Sequence, residues 1–314
     1  MTKEKLLSKS QLEEFQQNGH LLLKHILDPI QCHQFDTQHV QPALLNYAGI
    51  HPNDSSTWNT DRLKPMATGD YIPQAQAQPQ PSVLPGVMVR KEDGSDPIPN
   101  EHSLDLSPLH PILDQLHGSS NDWEWLHHNV GWIHVRFPIS GRRNQQAKDI
   151  PTSWHIDGGH YTPHYIDSPE QSVIVLPMIQ DVRVEGGNTL LLSKSHIYMA
   201  QKLAQAGTDG IPREKTQNAN DVAQFWPEHW IVEMAPCEAG DVLLLHPFLV
   251  HAAGQAREGH PLRIAFNMGV KWKRKPIIDV DVDVDVEEDT SEQHPIGWLE
   301  KSIIWALQQT LDLY

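Results

Sequence analysis

A chain of 314 residues with a formal net charge of -16 is long enough to bury a sizeable core. It is a poor match for nucleic acid or an anionic membrane surface, which select basic proteins. Its two cysteines, Cys32 and Cys237, exclude a disulfide scaffold and a cysteine zinc site and suit a reducing compartment. The first ten residues lack the apolar core of a secretory signal, and no apolar run approaches the ~18 residues of a membrane-spanning helix. The sequence therefore reads as a soluble cytoplasmic protein.

In chain order, residues 8–18 predict a helix: Ser8 with Gln11, or Ser10 with Glu13, offers a capping box, Leu12 and Phe15 supply an apolar side, and Gly19 suits the stop. Residues 20–26 read as a short strand. Asp28-Pro29 opens a second helix, with Asp as N-cap and Pro at the first helical position; Ile30, Cys32 and Phe35 face inward, and Pro42 ends or bends it. From about 48 to 106 the chain is least regular. Its low-complexity run of Gln, Ala and Pro at 74–81 cannot build a core and reads as a loop or lid. Residues 108–116 predict a helix with Leu109, Ile112, Leu113 and Leu116 on one side and Gly118 as its stop.

From Gly131 the texture changes to strands. Residues 132–137 alternate, so that His134 and Arg136 share one face and Ile133 and Val135 the other. Strands are also predicted at 172–179, 189–192, 231–234, 242–245 and 262–270, with a short helix at 197–206. Many short strands with turn signals at close spacing predict a mainly β core, a barrel or double-sheet roll, with the N-terminal helices packed outside. An Asp-Val alternation at 279–288 is either a divalent-cation site or a charged exposed strand or tail. An amphipathic helix at 298–313 closes the chain. The reading is one domain over 1–314: a helical part to about 130, a β-roll core over about 131–275, then the acidic segment and last helix.

The chemistry concentrates at SWHIDGGH, residues 153–160. In an extended strand residues i and i+2 point to one face, so His155 and Asp157 can reach a single metal ion. An imidazole and a carboxylate are two thirds of the two-His-one-carboxylate set that holds non-haem Fe(II) with open positions. For the third ligand, His251 at the end of the strand from Gly240 is the first candidate. His246, of opposite parity in that strand, is its rival, as are His160 and His164 beside the first pair. Arg263 stands in the otherwise apolar strand 262–266. Such a residue is costly unless paired, and its planar fork suits bidentate capture of a carboxylate. It reads either as the clamp of a dicarboxylate cosubstrate or as half of a structural ion pair; Arg257 is the weaker, loop-borne candidate.

Taken together, these strings resemble the phytanoyl-CoA dioxygenase family of Fe(II)- and 2-oxoglutarate-dependent oxygenases over nearly the full length. SQLEEFQQNGHLLLKHILDP (10–29) resembles the family's opening helix, strand and helix start. WHIDG (154–158) matches its iron motif, EGGNTLLLSKSH (185–196) its Gly-rich turn, and GDVLLLHPFLVHAAG (240–254) the strand that delivers the distal histidine. The resemblance implies a double-stranded β-helix of jelly-roll or cupin type. It also implies iron on His155, Asp157 and His251, 2-oxoglutarate on that iron and on Arg263, and O2 as oxidant. Polar residues near His134 and Arg136 contact cosubstrate or substrate in relatives, and both are assigned to the pocket. Related halogenases put a small residue at the carboxylate position; Asp157 keeps it, which favours hydroxylation. Two positions depart from the family pattern: Ala253 stands where Ser or Thr is frequent, and Val175-Leu176-Pro177 where some members have an aromatic residue. The expected substrate is a small organic molecule, which Arg142, Arg143, Lys148, Lys271, Lys273, Arg274 and Lys275 could attract if it is anionic; alternatively these are solvated faces. The alternative function is a metal-binding cupin-type protein without oxygenase activity, since the same ligands take Zn(II) or Ni(II).

Overall fold

In the computed structural model, the described residues are 6–58, 86–89, 98, 102–126, 132–138, 154–158, 162–216, 218–278 and 296–311. The run at 74–81, the cationic loop residues Arg142, Arg143 and Lys148, His160, and the Asp-Val stretch at 279–288 lie outside them. Helix α1 (Lys9–Asn18) starts on the Ser8–Gln11 capping box and stops at left-handed Gly19, as its sequence predicts. Helix α2 (Pro29–Phe35) is capped by the Asp28 side chain, which accepts from Ile30 N–H at 2.8 Å. Pro42 does not end this run. Wider π-helical turns at Asp36–Val40 and Leu44–Ala48 flank it, and these carry the helix past a residue with no N–H to donate.

Ten strands are described: β1 (His20–Leu23), β2 (Gly86–Val89), β3 (Trp123–Trp125), β4 (Trp132–Arg136), β5 (Ile174–Pro177), β6 (Leu190–Leu192), β7 (Ile231–Glu233), β8 (Val242–Leu245), β9 (His251–Ala252) and β10 (Arg263–Trp272). The larger sheet runs β1-β8-β5-β10-β4-β2, with β3 added to β10; the smaller runs β7-β6-β9. The N-terminal part, expected to be mainly helical, thus also lends β1, the strand predicted at 20–26, and β2 and β3 to the large sheet. The short lengths of β2 and β3 hid them from a periodicity reading. Three further helices, α3 (His110–His117), α4 (Ser195–Ala206) and α5 (Trp298–Gln308), cover the faces.

Strand parity sorts the core into three layers. Val175, Val242, Leu244, Ile264 and Phe266 face out and pack with Leu12, Phe15, Phe35 and Ile112 of the N-terminal helices. Ile174, Leu176, Leu243 and Leu245 face in, where they meet Leu191 of the smaller sheet. Leu190 and Leu192 face the far side and pack under Leu203 and Ile303 of α4 and α5. Two antiparallel sheets closed on one interior, with helices outside, form a double-stranded β-helix core. Among the described residues no helix is long and apolar enough to cross a membrane.

Buried histidines give this fold an acid limit. His117 and His196 are fully buried, and burial first of all pushes both down to about 4; His246 is pushed well below its ordinary value by burial and by His196. The unfolded chain takes up these protons near 6.5, whereas the folded chain resists until near 4. Stability is therefore complete above about 6.5 and falls as the pH drops toward 4, by on the order of 3 kcal/mol each for His117 and His196. Urea unfolding at pH 7.5 and at pH 5 checks this: the midpoint drops at the lower pH, and an equal or higher midpoint there contradicts it.

Candidate metal centre

The metal candidates meet where the smaller sheet closes. His155 and His251 exchange both backbone hydrogen bonds, His155 N to His251 O at 3.0 Å and His251 N to His155 O at 2.9 Å. This bridge puts their side chains on one face, and β9 is held in turn by β6, where Leu191 stands opposite His251. Asp157 returns to that face two residues on. Gly158 then turns the chain at φ +117°, a backbone conformation glycine adopts without strain. The ring centroids of His155 and His251 are 4.6 Å apart. The Asp157 carboxylate stands 3.5 Å from His155 Nε2 and 3.6 Å from His251 Nε2.

One ligand atom from each of the three residues lies within 4.8 Å of the others, so the set could hold one metal ion. Its second contacts favour that use. His251 Nδ1 donates to Leu249 O at 3.0 Å, which fixes the tautomer with the Nε2 lone pair turned toward Asp157. Asn267 Nδ2 donates to Asp157 Oδ2 at 2.7 Å, and His164 lies behind, its Nε2 3.3 Å from Asp157 O. Burial opposes charge on Asp157, but His251, the hydrogen bond from His155 and that from Asn267 outweigh it and hold the carboxyl well below the usual range. An anionic oxygen donor beside two imidazoles is the donor set of non-haem iron sites, so these residues fit Fe(II).

The inner face of β10 and β4 carries the rest. In register, Arg263 stands opposite Arg136, and Ala265 opposite His134, while Asn267 points to Asp157. Arg263 is 7 % exposed; its Nη2 donates to Thr189 Oγ1 at 2.9 Å and its Nε has no partner. Burial, then Arg136, pushes Arg263 down to about 10, which leaves it charged at neutral pH. His134, between the arginines and the metal set, is pushed down to about 3 by burial and then by Arg136, so it is neutral.

The six residues singled out in sequence thus share one interior face. The rivals among the described residues do not join them. His246 is buried against Phe248 and His196, Arg257 pairs with Glu185 at 2.7 Å, and His164 sits behind the carboxylate. Three of the four cations at the end of β10 and just past it are engaged as well: Lys271 with Glu124, Lys275 with Asp167, and Arg274 with Asp122 and Glu300. Asn267 and Thr189 escaped the sequence reading. Asn267 is polar in an apolar strand at the parity of Arg263, and that signal was available.

No curated protein matches the chain. Among solved structures, the chain is similar to the carbocyclase SnoK from nogalamycin biosynthesis, described as non-heme and alpha-ketoglutarate dependent (19 % identity, 84 % of each chain, TM-score 0.49). It is also similar to the epimerase SnoN of the same biosynthesis (16 %, 92 % of this chain and 94 % of that one, 0.49). A third similar structure is HygX from Streptomyces hygroscopicus, solved with nickel and 2-oxoglutarate bound (15 %, 84 % and 87 %, 0.46). Residues 125–264, the stretch that carries His134, Arg136, His155, Asp157, His251 and Arg263, match the family model of phytanoyl-CoA dioxygenase (PhyH), and this is the family that the core of the chain resembles.

Proposed function

We propose that this chain is an Fe(II)- and 2-oxoglutarate-dependent oxygenase that hydroxylates a small organic molecule: substrate C–H, 2-oxoglutarate and O2 become the alcohol, succinate and CO2. The observation that carries this reading is the pairing of two features on one interior face, a two-His-one-carboxylate set and a buried, still charged Arg263 with no carboxylate partner among the described residues. Arg263 lies four residues along β10 from Asn267, about 13 Å of strand. Arg263, Ala265 and Asn267 share one parity on β10, and Asn267 reaches Asp157. A short dicarboxylate would span this row with one end at the metal set and the other at the guanidinium.

Bound iron and 2-oxoglutarate supply the oxidising chemistry, and the chain supplies position and shielding. His155, Asp157 and His251 would hold the metal. Asn267 fixes the carboxylate rotamer, and Arg263 would orient the cosubstrate by its far carboxylate. The apolar residues Leu176, Leu191 and Leu245 close the interior behind the site and exclude water. Keeping Asp157 as a ligand supports hydroxylation.

Anaerobic addition of Fe(II) and 2-oxoglutarate should produce a weak visible charge-transfer band, and a coupled succinate assay across candidate substrates should find one whose product gains one oxygen. A product that has only lost two hydrogens, or that keeps its mass, replaces hydroxylation as the outcome; no band and no succinate removes the oxygenase reading. Arg263→Ala should weaken 2-oxoglutarate by roughly 30-fold or more, since truncating one side of a buried charge pair costs about 2 kcal/mol or more. Titration of the same band reads this, and unchanged affinity would remove Arg263 from the cosubstrate site.

A further inference from the structure

Arg263 accounts for one carboxylate, yet the same row of the sheet holds a second guanidinium. Arg136 stands directly opposite Arg263 across β4 and β10, and the two are near enough that Arg136 lowers the pKa of Arg263. Among the described residues neither forms an ion pair with a carboxylate. The Arg136 Nε is buried without a partner, while the residue as a whole is half-buried. Asp157, the acid on this face, is already engaged by His155, His251 and Asn267. Two like charges side by side and away from bulk water are costly unless an anion comes to them.

Arg263 is tethered toward the smaller sheet by Thr189, while Arg136, two residues from His134 on β4, has no such tether among the described residues.

We propose that Arg136 is a specificity-determining residue that receives an anionic group, a carboxylate or phosphate, of the primary substrate, so that the substrates of this site are organic acids. The inference rests on the oxygenase reading above for the place of the cosubstrate, but the anion-receiving role belongs to Arg136 itself.

The test uses the full chain and a set of simple probes: inorganic phosphate and phenylacetate, with neutral phenylacetamide as control. On the anaerobic Fe(II)–2-oxoglutarate complex, both anions should raise the thermal midpoint and phenylacetamide should not. Arg136→Gln should weaken the anion response about tenfold or more, Arg136→Lys should keep most of it, and both should keep the 2-oxoglutarate titration within about threefold of the parent. The proposal is overturned if Arg136→Gln weakens 2-oxoglutarate about tenfold instead, which hands Arg136 to the cosubstrate. It is equally overturned if the parent ignores both anions, or if the variant responds to them as the parent does. If the parent gives no 2-oxoglutarate band but still shows an Arg136-dependent anion response, the oxygenase reading falls and the anion site stands.

Discussion

Replacing Asp157 with alanine should abolish turnover and lower metal affinity by about a hundredfold or more. Loss of a residue that only hydrogen-bonds to a ligand typically costs ~10–100-fold in metal affinity, and Asp157 would be a ligand itself. It is also the anion of the set. Its carboxylate stands between the two imidazoles at 3.5 and 3.6 Å, and without it two neutral rings face a divalent ion alone. Asn267→Ala is the graded companion: it keeps the donor but frees its rotamer, so it should fall inside the ~10–100-fold range. Metal titration with the charge-transfer band as readout separates the two variants. If Asp157→Ala binds Fe(II) as the parent does, the metal does not sit on this set. The backbone bridge between His155 and His251 does not involve the Asp157 side chain, so the far-ultraviolet spectrum of the variant should be unchanged.

The largest effect on stability is expected at Glu300. This residue is fully buried in α5, where its carboxylate accepts from Arg274 Nη1 at 2.7 Å and Nη2 at 2.9 Å, and from the backbone of Ile277 and Gly297 at 2.6 and 3.0 Å. Arg274 also reaches Asp122 at 3.2 Å. The cluster ties the last helix to the chain leaving β10, the strand that carries Arg263 and Asn267. A buried ion pair adds little over an apolar pair of the same shape, but breaking one by removing a single partner costs about 3–5 kcal/mol. Glu300→Ala strips the fork of its acceptor and leaves two backbone N–H groups without theirs. At ~2–4 °C per kcal/mol for a chain of this size class, the thermal midpoint should fall by roughly 10 °C. Scanning calorimetry checks it, and a shift of one or two degrees would mean that water replaces the carboxylate and that the cluster is not dry.

Arg274 illustrates what sequence reading could not do. In the string Lys271 to Lys275 it looks like one of four solvated or substrate-attracting cations. The partner that removes it from solvent lies 26 positions along the chain, and nothing local announces it. Pro42 and the short strands β2 and β3 failed for a similar reason: a proline's local bias toward ending a helix is small against the packing of Val40, Ala43 and Leu44 into the core, and three- or four-residue strands carry too few residues for a period to register.

Where the signal is local, the sequence was sufficient. The His155-Ile156-Asp157 spacing places two donors on one face by strand parity alone. The cap at Ser8, the Asp28-Pro29 start and the continuous apolar strands at 172–179 and 242–245 each follow from residue chemistry within a few positions. Parity also put His134 and Arg136 on one side of their strand, while the choice of His251 over His246 came from the family resemblance of residues 240–254. What only the tertiary structure decided is which of these faces meet. Closure of the two sheets on one interior brings residues about a hundred positions apart into contact, as Asn267 with Asp157 and His155 with His251. It also sets Arg136 opposite Arg263, with no ion pair to either among the described residues. Register across strands is fixed by the burial of whole apolar faces, a property of the assembled sheets that no short stretch of sequence contains.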